Sequence, residues 1–78
     1  MTIEDRIRAY VTRSAGLDGP PGDDEPLVGS GYIVSVRMLD LVAFLEEEFG
    51  IRLRPIDLVP EKLATIGRMA ATVRLRGG

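Results

Sequence analysis

Residues 28–51, VGSGYIVSVRMLDLVAFLEEEFGI, decide how this chain folds. From Ser35 onward, stepping ~100° per residue places Met38, Leu41, Val42, Leu45 and Phe49 within one arc. Its width of about 100° is that of a core-facing stripe. The spacing predicts a helix over 35–49. Gly50 follows where a left-handed C-cap belongs. The opposite face gathers Val36, Asp40, Ala43 and Glu47, with Phe44 at its edge. That mixture of acids and modest apolar residues reads two ways. One is an ordinary solvated face; the other is a docking face for basic partners.

Working outward, the preceding run Gly29-Ser30-Gly31-Tyr32-Ile33-Val34 delivers Ser35 to the helix start. A serine there commonly serves as an N-cap. It is also well placed for an anion, because free N–H groups and the positive dipole end favour a phosphate. Residues 16–31 hold three prolines, five glycines and four acids, which predicts a long loop. Loops of this length in small domains are often functional. Leu17, Leu27 and Val28 are its expected anchors to the core.

The flanks also read as helices. Ile3, Ile7, Tyr10 and Val11 share a face over 3–14. Thr2 and Asp5 have the spacing of a capping box, and Gly16 ends the segment. After Gly50, the apolar residues Ile51, Leu53, Ile56 and Leu58 predict a connector covering the core. Pro55 and Pro60 suit helical first turns, and a short helix is expected near 60–63. Thr65 caps a last helix reaching about Leu75, with Ile66, Met69, Ala70 and Val73 inward. The expected fold is all-α: a small four-helix bundle of three longer helices and one short one.

Length and composition narrow the function. With 78 residues the chain predicts a single domain over 1–78. It contains no cysteine and no histidine. A Ser-His-Asp or Cys-His unit therefore cannot be assembled, and the usual zinc ligands are missing. The expectation is a protein without intrinsic catalysis and without a bound metal. A net charge of −2 and a pI near 5.0 lack the footprint of a nucleic-acid binder. No apolar run approaches the ~18 residues of a membrane span. The opening MTIEDRIRAYV has no apolar signal region, so a cytoplasmic location and a monomer are expected.

Taken together, these residues resemble the acyl carrier proteins of the phosphopantetheine-binding family. Ser30-Gly31 matches the family's S-G, and Tyr32-Ile33 matches the apolar pair that follows. Ser35 matches the modified serine. Asp40-Leu41-Val42 and Leu45-Glu46-Glu47-Glu48-Phe49-Gly50-Ile51 match the next helix without a gap. Thr65-Ile66-Gly67 is similar to the start of the last helix. The likeness extends over essentially the whole chain. It departs at Val34, where the family usually has Asp, at Val36 in place of Leu, and at Arg37.

The resemblance implies a free-standing acyl or aminoacyl carrier. A phosphopantetheinyl transferase would attach 4'-phosphopantetheine from coenzyme A to Ser35. The arm would supply the thiol that this chain lacks. Loading and transferring enzymes would be the partners, with Val36, Leu39, Asp40, Ala43, Glu46 and Glu47 as the docking residues. Of these, Leu39 and Glu46 lie between the two faces of the helix. The near-balanced charge and the altered serine motif favour polyketide, nonribosomal-peptide or related specialised biosynthesis over fatty-acid synthesis.

Two other readings are open. Val34 could mark an unmodified relative that keeps the fold and docks through the same helix. Separately, Val73-Arg74-Leu75-Arg76-Gly77-Gly78 resembles the tail of ubiquitin and allows a conjugated modifier. The absence of strand alternation argues against that, and glycines past a basic helix end explain the pattern.

Overall fold

The computed structural model describes residues 1–14, 16, 19–27 and 35–78, with the backbone alone for Ser35, Val36, Arg37 and Pro60. Among the described residues four helices follow in order: α1, Ile3–Ser14; α2, Ser35–Phe49; α3, Pro60–Leu63; and α4, Ile66–Leu75. A 3-10 turn, Pro55–Asp57, sits between α2 and α3. No strand occurs among the described residues. None of the described helices is long and apolar enough to cross a membrane.

Local chemistry accounts for the helix ends. The Asp5 N–H donates to Thr2 Oγ1 at 3.0 Å, and the Thr2 N–H reaches Asp5 Oδ2 at 3.4 Å. This closes the expected capping box. The Arg68 N–H donates to Thr65 Oγ1 at 3.1 Å and caps α4. Gly50 adopts φ +64°, and the Ile51 N–H donates back to the Glu46 carbonyl at 3.2 Å. That six-residue closure is a Schellman stop for α2.

The core is formed by Ile7 and Val11 of α1, Leu41 and Leu45 of α2, Leu63, and Ile66, Met69, Ala70 and Val73 of α4. Leu27 and Ile51 seal it from the loops, while Met38, Phe49 and Leu53 pack at its margin. The helical stripes read from the sequence thus meet in one interior, except that Val42, expected in the α2 stripe, is only partly buried and lies outside the core cluster. Helices α1 and α4 form the main contact, and α3 lies along α4.

The loop before α2 is tied down at several points. The Leu27 N–H donates to the Ala64 carbonyl at 2.7 Å, and the Gly67 N–H donates to the Asp23 carbonyl at 2.9 Å. A side chain at position 67 would crowd the Asp23 carbonyl, at 3.2 Å from an added Cβ. Arg8 donates from Nε to the Pro21 carbonyl at 2.8 Å and pairs with Asp5 and Asp23. The other two expected anchors, Leu17 and Val28, lie outside the described residues.

Three expectations change. Phe44 does not face solvent at the edge of the acidic face. It stacks on Tyr10 of α1 with ring centroids 4.0 Å apart, and meets Phe49 edge-on at 6.2 Å. A large ring reaches well beyond its own helical angle, and α1 supplies a flat partner for it. Ile56 and Leu58 do not cover the core. They are 64% and 46% exposed. The interior position of that segment is instead taken by Asp57, which is fully buried.

Candidate functional site at the start of α2

α2 begins at Ser35. Position 35 is therefore the first helical residue; Val34 before it lies outside the described residues. The motif Ser30-Gly31-Tyr32-Ile33 also lies outside them. A first-turn residue sits among backbone N–H groups that have no partner within the helix.

The charge pattern along α2 opposes its own dipole. The first turn carries no acid and the last turn no base. Glu46, Glu47 and Glu48 instead cluster at the negative end, where a carboxylate is disfavoured by ~0.3–1 kcal/mol at an exposed position. Two of the three are engaged by tertiary structure. Glu48 pairs with Arg6, whose Nε donates to Glu48 Oε2 at 2.9 Å. The same guanidinium lies over the Phe49 ring at 4.8 Å. Glu46 Oε2 accepts the Leu53 N–H at 2.9 Å. Glu47 remains exposed.

The expected docking residues divide accordingly. Leu39 is 75% exposed, an unusual setting for a leucine in mid-helix. Asp40, Ala43 and Glu47 are exposed beside it. One turn separates Leu39 from Ala43 and Asp40 from Ala43, and a further turn separates Ala43 from Glu47. These four make a continuous acidic and apolar surface leading away from Ser35. Glu46 is half-buried, and its carboxylate fastens the connector after α2. The side chain of Val36 is outside the described residues.

Sequence reasoning missed Asp57. Its carboxylate accepts two bonds from Arg76, Nε at 2.8 Å and Nη2 at 2.9 Å. It also accepts the Arg54 N–H at 2.9 Å and the Lys62 ammonium at 3.3 Å. The Arg76 guanidinium, then the Arg54 N–H, hold the carboxyl well below the usual carboxylate range against the effect of burial. This cluster joins the connector to the end of α4 and bears on architecture, not on the Ser35 end of α2. The signal available in the sequence was only Pro55-Ile56-Asp57, an acid in a short turn.

The terminal glycines also have a structural role. Gly77 has φ +99°. Its N–H donates to the Arg74 carbonyl at 3.3 Å, and the Gly78 N–H donates to the Val73 carbonyl at 2.9 Å. Both bonds of a Schellman motif are present, so Gly77 and Gly78 close α4. An added Cβ on Gly78 would fall 2.4 Å from Val73 Cγ1.

A shallow groove of about 250 Å³ lies between α3 and α4, lined by Glu61, Lys62, Arg68, Ala71, Thr72 and Leu75. It includes no residue of α2. No group of acidic residues suited to a metal occurs among the described residues. Comparison of the chain with protein-family models, with curated proteins and with solved structures returned no match.

Proposed function

We propose that this chain is a carrier domain of acyl-carrier type, holding acyl or aminoacyl intermediates on a 4'-phosphopantetheine arm attached to Ser35. The observation that carries the reading is where α2 starts. A 15-residue helix opens on the serine, with no acid in its first turn. A phosphodiester there would provide the anion that the helix N-terminus lacks. Ser35 Oγ would be the ester oxygen, and the unpaired N–H groups of the first turn would face the phosphate. The arm supplies a thiol at the end of a flexible tether, chemistry that a chain without cysteine cannot offer itself.

The exposed surface of α2 supports the same reading. Leu39, Asp40, Ala43 and Glu47 run down the helix from the serine. A transferase or a loading enzyme gripping that surface with basic and apolar groups would bring its active site to Ser35. The order of the described helices, two long ones, a very short third and a capped fourth, supports the reading. The resemblance in Leu45–Ile51 and in the Ser-Gly spacing before Ser35 points the same way. Specialised biosynthesis remains the favoured setting, because the chain as a whole is nearly charge-balanced and its serine motif is altered.

Intact-mass measurement after incubation with coenzyme A and a broad-specificity transferase tests the proposal. A single adduct of phosphopantetheine mass is expected, and none on Ser35→Ala. Lack of an adduct with several transferases would favour an unmodified protein that docks through α2.

A further inference from the structure

The connector after α2 presents a second surface, opposite in sign to the first. Burial alternates along residues 51–54, and Arg54 has extended backbone, so alternate side chains face alternate sides. Ile51 is buried and Leu53 is packed against the core, whereas Arg52 and Arg54 are exposed. The 3-10 turn then directs Asp57 inward and leaves Ile56 and Leu58 in solvent.

Neither Arg52 nor Arg54 forms an ion pair among the described residues. The nearby acids are already engaged. Glu46 accepts the Leu53 N–H, and Asp57 accepts the Arg54 N–H while binding Arg76 and Lys62. Two unneutralised guanidinium groups therefore flank two exposed branched side chains in a chain of net charge −2. The backbone beneath them is held in place. The Asp57 N–H donates to the Arg54 carbonyl at 2.8 Å, and the Leu58 N–H to the Pro55 carbonyl at 3.1 Å. A strip ordered before binding loses little freedom on binding.

We propose that Arg52, Arg54, Ile56 and Leu58 form a docking strip for an acidic amphipathic segment of a partner protein. Guanidinium groups match carboxylates with paired hydrogen bonds, and Ile56 and Leu58 supply the apolar anchors. Two cations in a net-acidic chain are few for holding a nucleic-acid backbone or an anionic bilayer, whereas one acidic peptide segment matches them in number. The strip acts whether or not Ser35 is modified. Where both surfaces are used, the acidic face of α2 and the basic connector fix the direction in which a partner lies.

A random dodecapeptide display library panned against the full chain tests the strip. Enriched peptides are expected to combine Asp or Glu with apolar residues, to bind more weakly at high salt, and to shift the amide resonances of residues 51–58. The double variant Arg52→Glu/Arg54→Glu should weaken their binding at least tenfold with unchanged circular dichroism. Exchanging the peptide's acids for arginine should restore binding to that variant. Ile56→Ser/Leu58→Ser should weaken binding without charge dependence. No enrichment, peptides without an excess of acid, or resonance shifts confined to α2 would overturn the proposal. So would sedimentation showing self-association lost in the double variant, or binding to phosphatidylglycerol vesicles lost in the same way.

Discussion

Replacing Asp57 by Asn should be among the most damaging single changes in this chain, and its cost should depend on pH. Asp57 is fully buried, and it holds Arg76, whose side chain is only 18% exposed. Asn keeps the shape and one carbonyl oxygen but leaves that guanidinium without its anion. Breaking a buried pair by removing one partner costs ~3–5 kcal/mol, and the retained oxygen places Asn near the lower limit. A domain of this length is stable by about 4–12 kcal/mol, so a quarter or more of the total is at stake.

The sign with pH follows from linkage. The folded carboxyl titrates well below its ordinary range, so its contribution is complete above the unfolded value near ~3.9 and fades as pH falls below it. Glu4, which Arg74 holds at about 2 through two hydrogen bonds, weakens over the same range in both proteins and cancels in the comparison. Urea unfolding followed by circular dichroism at neutral and at acid pH measures this. With a denaturant slope near ~1 kcal/mol per molar, the neutral-pH midpoint should fall by about 3 M, and the gap between variant and parent should narrow toward about pH 2.5. A loss under ~1 kcal/mol at neutral pH, or a gap that does not change with pH, would refute the reasoning.

Two further outcomes test the fold of α2. Leu45, completely buried at the centre of the α2 stripe, should cost ~2–5 kcal/mol when changed to Ala, measured by the same unfolding assay. Gly50→Ala should cost about 1–2 kcal/mol. Space is open around the added methyl, so the penalty comes only from φ +64°, and proton NMR should show an intact core.

How much could be read beforehand depended on the range of the forces involved. The bounds of α1, α2, α3 and α4 follow from caps, prolines and helical spacing, all of which act within about four residues. Thr2, Gly50, Pro60 and Thr65 each mark an end through their own backbone chemistry. The inward stripes follow too, because a helix has only one apolar arc to bury. Phe44 was misplaced because its partner, Tyr10, lies 34 positions away in the sequence. Ile56 and Leu58 were misplaced because hydrophobicity sets no direction in a segment without regular period. Glu46 and Glu47 are neighbouring acids of the same type, yet only Glu46 meets the returning connector.

From its residues alone, this chain determined its helices, their ends, the inward stripes and the serine on which α2 opens. Each of these rests on interactions between near neighbours. Tertiary structure decided the burial of Asp57 beneath Arg76, the stacking of Phe44, and the exposure of Arg52, Arg54, Ile56 and Leu58. It also decided which acids stay exposed on α2. Those outcomes depend on which groups remain to satisfy a buried charge or cover an apolar face once distant segments have met, and that competition is settled only in three dimensions.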